Sequence, residues 1–270
     1  MGKLRENVLK RCGSIRSITL SDGITEIDEK AFYNCSNLEN VVIPSSVTKI
    51  GPWVFAESGL KSIILPNGRL TEIGNCAFLE CRNLENIVIP ESVTKIGFKA
   101  FAKSGLKSII PPDGQLTEIV KYAFHNCYNL ETAVIPGSVT KIGIYAFAES
   151  GLKSIILPNG LTEIGEGAFY KCHNLEIVVI PESVTKIGPK AFAQSGLKSI
   201  NLPNVLTEIE GDTFFCCQNL ETVVIPETVT KIAPYAFAHS GLKSIVLPRG
   251  VEIGKDAFRD CHNLVMKYRN

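Results

Sequence analysis

The sequence predicts a curved, right-handed solenoid of about eleven turns with a parallel β-sheet on its concave face, and three observations carry that prediction. A phenylalanine returns at a nearly constant interval: Phe32, Phe55, Phe78, Phe101, Phe124, Phe147, Phe169, Phe192, Phe214, Phe237 and Phe258, spaced 21 to 23 residues apart. Each interval holds a short segment such as Leu152-Lys-Ser-Ile155-Ile-Leu157-Pro158, with apolar residues at the first, fourth and sixth places. Charges at two places alternate in sign from turn to turn along the chain. Self-similarity at a fixed period of this size is the signature of stacked units that cannot bury their apolar faces alone.

Within a turn the strand comes first. Its apolar spacing points three side chains inward, and the closing proline offers no ladder donor. Leu161-Thr-Glu-Ile164-Gly165 supplies two more inward residues and a bend. Ala168-Phe169 then opens a short helical or 3₁₀ turn that ends near Cys172 and Asn174. One such turn buries too little apolar surface to offset the backbone entropy of ordering it, so stacking must supply the difference. A period of 21 to 23 residues with leucine opening each strand marks a leucine-rich-repeat solenoid. The whole chain, 1–270, reads as one such domain, about 50 Å long at strand spacing. A partial repeat fills 1–14, with Leu9 at the Phe place and Cys12 at the Cys place; full repeats run over about 15–264, and a tail covers 265–270. The first turn begins in mid-repeat at Val8, the N-terminal side from Met1 to Asn7 is too short to close it, and the charged tail is at most a modest C-terminal cap. These open ends suggest a domain of a longer surface protein.

Two kinds of turn alternate. One carries AFxxCxNLE, as at Ala31 to Glu39, and the other AFAxSGLK, as at Ala146 to Lys153. The residue after Phe is often large in the first kind (Tyr33, Leu79, Tyr170, Phe215) and always Ala in the second (Ala56, Ala102, Ala148, Ala193, Ala238), so neighbouring turns can interdigitate. One charge ladder runs Arg16, Glu39, Lys61, Glu85, Lys107, Glu131, Lys153, Glu176, Lys198, Glu221, Lys243; a second runs Glu26, Lys49, Glu72, Lys95, Glu118, Lys141, Glu163, Lys186, Glu208, Lys231, Glu252. A slip by one turn would set like charges together, so the ladders read mainly as register control.

The consensus LxxIxLPxxLTEIGxxAFxxCxNL closely resembles the BspA-like, or treponemal-type, leucine-rich repeats, over about residues 8–264. The resemblance implies the solenoid fold, a surface-attached or secreted protein of a host-associated microbe, and adhesion or protein binding. A host surface or matrix protein is the partner it suggests. It brings no catalytic residues.

Composition narrows the function classes. With 28 basic against 27 acidic residues, no excess charge grips nucleic acid or an anionic membrane. No segment approaches the run of about 20 apolar residues that a membrane span needs. The start, MGKLRENVLKRCGS, lacks an apolar core of signal-peptide length, which leaves a cytoplasmic protein or a leader outside this chain. Cys35, Cys81, Cys127, Cys172, Cys217 and Cys261 fall in every second turn, roughly 10 Å apart at strand spacing, too far for disulfides. They read as buried, reduced and apolar, whereas Cys76 and Cys216 occupy variable places and are expected to be exposed.

No chemistry stands out. His125, His173, His239 and His262 are scattered surface-loop histidines, and no Ser is set beside His and Asp. No metal or cofactor signature is visible, and Cys216-Cys217 lacks a second pair. Asn34-Cys35-Ser36 fits a glycosylation acceptor, but its Cys is a core place. The chain is therefore expected not to be an enzyme. Two surfaces remain as candidate protein-binding sites. The first is the fifth strand place: Val42, Ile64, Val88, Ile110, Val134, Ile156, Val179, Val224 and Val246, interrupted by Asn201. At roughly 50 Å² each, such a stripe reaches about 450 Å², in the range of functional patches. The second is the pair of places before Phe, where Phe98, Tyr122, Ile144 and Tyr145 fall on three consecutive turns, with Trp53 and Tyr235 elsewhere in the same rows. Three departures stand out: Pro111 in a strand, Asn201 in the stripe, and Ile177 in a small polar row. Exposed stripe and open ends also allow self-association into a dimer or head-to-tail stack.

Overall fold

The computed structural model describes residues 2–4, 12–110 and 113–269; Leu9, Val8 and Pro111 lie outside them. Each turn lays down two short strands, and these stack into two separate parallel ladders. The first is built from segments such as Asn40–Val42, Ser62–Ile64 and Asn86–Val88, in which only the middle residue faces inward. The second is built from two-residue strands such as Lys49–Ile50 and Glu72–Ile73, whose isoleucines pair in register, Ile50 with Ile73 and Ile73 with Ile96. Every pairing is parallel, as stacking of identical units demands.

The expected helical turn after Ala-Phe is not there; no helix occurs among the described residues. A third wall of hydrogen-bonded turns replaces it. Alternate N–H groups point along the solenoid axis: Tyr145, Phe147 and Glu149 donate to the carbonyls of Glu166, Ala168 and Tyr170 at 2.7 to 2.9 Å. The intervening N–H groups of Ala146, Ala148 and Ser150 close local turns onto residues three places back. A helix would turn all six donors inward along its own chain and leave the next repeat unbonded. The compromise holds two residues per turn at positive φ, two before and two after each Phe, and only one of these, Gly167, is glycine. Left-handed backbone costs roughly 1–2 kcal/mol at a residue with a side chain, so inter-turn bonding must outweigh it at each site.

The core is a column of rings. All eleven phenylalanines stack, with centroids 5.1 to 5.8 Å apart. Beside it runs a column in which cysteine and serine alternate. The Cys81 thiol donates to the Phe55 carbonyl at 3.0 Å and lies 3.5 Å from the Ser58 hydroxyl, and the arrangement recurs at Cys127, Cys172 and Cys217. None of the nine cysteines forms a disulfide. Burial pushes the thiols of Cys127, Cys172 and Cys217 up to about 11 and that of Cys81 up to about 12. Cys76 is buried as well, contrary to expectation, because the next turn lies against it and its N–H donates to the Phe98 carbonyl. Since the thiolate is the reactive form, iodoacetamide near pH 8 should label half-buried Cys12, Cys216 and Cys261 in the native protein. Cys35, Cys81, Cys127, Cys172 and Cys217 should react only through unfolding, and mass-spectrometric mapping of the labelled peptides reads the difference.

Both ends carry more ladder than expected. Gly2–Leu4 pairs with Ile24–Ile27, so Lys3 extends the second charge ladder and bridges Glu26 at 2.5 Å. The tail is a strand too: Val265–Tyr268 pairs with Ser244–Leu247. The charge ladders form ion pairs as the alternation implies, for example Lys61 with Glu39 and Lys107 with Glu85. Lys49 and Lys95 share Glu72 from either side. The second ladder is interrupted between Lys95–Ile96 and Glu118–Ile119 and between Lys186–Ile187 and Glu208–Ile209, and the first ladder also breaks twice. Ser108–Ile109 is only two residues long and is not bonded to Asn86–Val88, just before Pro111. In this ladder no strand forms in the turn between Ser154–Ile156 and Ser199–Asn201, where Ile177 replaces a small polar residue.

Candidate functional site

The strand that buries its middle residue must expose its flanking ones, and that geometry creates the apolar stripe. Register places Val42, Ile64 and Val88 side by side, and likewise Val134 with Ile156 and Val224 with Val246. Eight of the nine expected residues are exposed, from 40% at Val246 to 83% at Ile64. The exception is Val134, which is half-buried. Polar residues bound the stripe: Thr19 stands beside Val42 at one end and Lys267 beside Val246 at the other. The stripe is widest at the break in the sheet, where Ile177 and Val179 are both exposed. Ile177 was legible as a departure from the repeat but not as part of this surface.

The second set of residues also comes together. Phe98 meets Tyr122 edge to face at 5.8 Å, and Tyr122 stacks on Tyr145 at 5.4 Å. Tyr145 continues edge to face onto Tyr170 at 6.0 Å, extending the cluster to four turns. Lys99 Nζ lies 5.1 Å from the Phe98 ring centre and 5.4 Å from that of Tyr122, and Lys121 Nζ is 5.4 Å from Phe98. Tyr122, Tyr145 and Lys99 stand at the left-handed place before Phe, which turns each side chain out of the core. Trp53 is not part of this cluster; it packs against Tyr33 at 6.3 Å. Burial pushes the Tyr145 hydroxyl up, and Glu166, 3.3 Å away, adds to the shift. Nothing in the sequence marks Tyr170 and the two lysines as members of this cluster, because contact across a corner between turns leaves no pattern within one repeat.

Between Phe98 and Ile144 lies a groove of about 360 Å³, floored by Val120 and edged by Lys95, Glu118, Lys121 and Lys141. It sits at the corner where the second ladder meets the wall of turns. In the flanking turns the Val120 place is Gly97 and Gly143, so the valine is a local apolar addition.

The histidines do not assemble a reactive centre. His125 packs edge-on against Tyr122 at 5.3 Å, and burial pushes its pKa down. His239 Nδ1 lies 3.4 Å from Asp260, and Ser240 is its chain neighbour, but the Ser240 hydroxyl is turned to Cys261 Sγ at 3.3 Å. In this arrangement the Ser240 hydroxyl is paired with the thiol and not with the imidazole. Among the described residues no group of three or more His, Cys, Asp or Glu is placed to hold a metal ion, and no helix is long and apolar enough to cross a membrane.

A family model for the BspA type leucine rich repeat region matches in six copies, over residues 2–131 and 140–265. The chain belongs to the BspA-type leucine-rich repeat family. Among solved structures, this BspA-type chain is similar to a leucine-rich repeat protein from Bacteroides ovatus, with 28% identity and a TM-score of 0.70, covering 99% of this chain and 87% of that one. A leucine-rich repeat protein from Eubacterium ventriosum is 25% identical with a TM-score of 0.51, covering 95% and 85%. The pneumococcal vaccine antigen PcpA, at 21% identity and TM-score 0.60, covers 98% of this chain and 67% of its own, and shares the fold. No curated protein matches in sequence.

Proposed function

We propose that this BspA-type domain is a non-enzymatic protein-binding module, displayed at a cell surface or secreted, that engages a host or partner protein. One observation carries the reading: a row of β-branched side chains stands exposed along a parallel ladder bonded in three segments, and the row ends in polar residues at both sides. Such a surface needs little ordering on binding, which keeps the entropic cost low. Contiguous apolar area of this kind is uncommon on monomers unless it meets something.

The test is binding to a panel of matrix and serum proteins by the purified domain and by a triple variant, Ile64→Lys, Ile156→Lys and Val179→Lys. All three residues are exposed in the folded domain, so the variant should melt within a few degrees of the parent. Saturable binding that weakens by about tenfold or more is the expected result. Absence of saturable binding across the panel, or equal binding by the variant, would remove the stripe from consideration.

A further inference from the structure

The corner groove carries a chemistry that the stripe does not. Three ammonium groups, Lys95, Lys121 and Lys141, edge it against one carboxylate, Glu118. Lys95 and Lys141 are engaged, bridging Glu72 at 3.1 Å and Glu163 at 3.2 Å. Lys121 and neighbouring Lys99 have no carboxylate partner among the described residues; their ammonium groups rest over the Phe98 and Tyr122 rings. In the two rows before Phe, the four turns from Asn75-Cys76 to Ile144-Tyr145 contain two lysines and no acid. The local excess is therefore positive, and it borders an apolar slot whose walls, Phe98 and Ile144, and floor, Val120, are all partly or fully exposed.

We propose that this groove binds an acidic segment of a partner protein. An apolar side chain of that segment enters between Phe98 and Ile144 onto Val120, and an adjacent Asp or Glu takes Lys121 and Lys99 as its counter-ions. Two alternatives fit less well. A basic segment would bring like charge against both unpaired lysines. A sugar ring would need an open aromatic face, but Tyr122 and Tyr145 lie nearly parallel, 12° apart, with their faces against each other. The inference rests on the protein-binding reading above but not on the stripe.

The experiment is selection of random short peptides displayed on phage against the immobilised domain, followed by fluorescence anisotropy of the selected peptides. The expected peptides carry Asp or Glu next to a large apolar residue, and their affinity falls as salt is raised. It should drop by about tenfold or more in the double variant Lys99→Glu and Lys121→Glu, and remain unchanged in the triple lysine variant of the stripe. Lys121→Ala alone, at an exposed place, guards against a folding defect and should weaken binding to a smaller extent. Enrichment of basic or uncharged peptides, failure to enrich any, or equal affinity for the double variant would overturn the proposal. Peptides lost only in the stripe variant would sink the groove while leaving the protein-binding reading intact.

Discussion

Gly151→Ala should destabilise the domain by about 4 kcal/mol and lower its melting midpoint by roughly 10 °C, at the upper end of overpacking effects. A Cβ built at Gly151 would lie 2.1 Å from the carbonyl oxygen of Tyr128 in the turn before, and that carbonyl is backbone that cannot rotate away. The Gly151 N–H meanwhile donates to the Cys127 carbonyl at 3.1 Å, which fixes how closely the two turns approach. The same clash recurs at Gly59, Gly105, Gly196 and Gly241, all within 2.0 to 2.2 Å of a carbonyl one turn back. Gly160→Ala is the internal control. Its nearest neighbour would be the Gly137 carbonyl oxygen at 3.6 Å, an ordinary contact, so its midpoint should barely move. Thermal unfolding followed by circular dichroism reads both variants, and similar midpoints for the two would remove close approach as the reason for the SG step.

Phe147→Ala should cost about 3 to 5 kcal/mol, the usual range for truncating a fully buried aromatic residue. Phe147 loses two stacked neighbours at once, Phe124 at 5.2 Å and Phe169 at 5.8 Å, and leaves a gap in the middle of the column. Because each repeat contacts only its neighbours, that gap weakens both adjoining interfaces and should also split the unfolding transition into two. Phe258→Ala, by contrast, removes a half-buried ring with one neighbour, Phe237, and should cost about half as much or less. Urea denaturation of the two variants distinguishes them. Equal losses would mean that neither burial nor ring stacking sets the cost of truncation.

The cysteines show how far pattern reading reaches. Spacing in every second turn was enough to identify all six as reduced and five of them as buried; Cys261, in the last Phe turn, is half-buried, contrary to expectation. Their serine partners, one turn away in the same column, needed the stacked structure, since a hydrogen bond from the Cys81 thiol to Phe55 links residues 26 positions apart. Cys76 was misread because burial at its place depends on what the following turn carries.

The stripe was legible because period-two alternation is a local property: a strand that buries Val41 must expose Asn40 and Val42. The third wall was not. Apolar content around Ala-Phe suits a helical turn as well as the turns that form, and the choice falls to backbone donors that bond to the next repeat. No single repeat contains that partner.

By itself, then, the sequence determined the repeat length, the inward residues, the register and the sign of every ladder charge, since each of these follows from side-chain period and from identity between turns. Only the tertiary structure decided the left-handed places flanking each Phe, the bare backbone contact under each SG glycine, and the groove at Phe98, Val120 and Ile144. These depend on distances across turns, where a hydrogen bond or a clash of about an ångström outweighs any local preference.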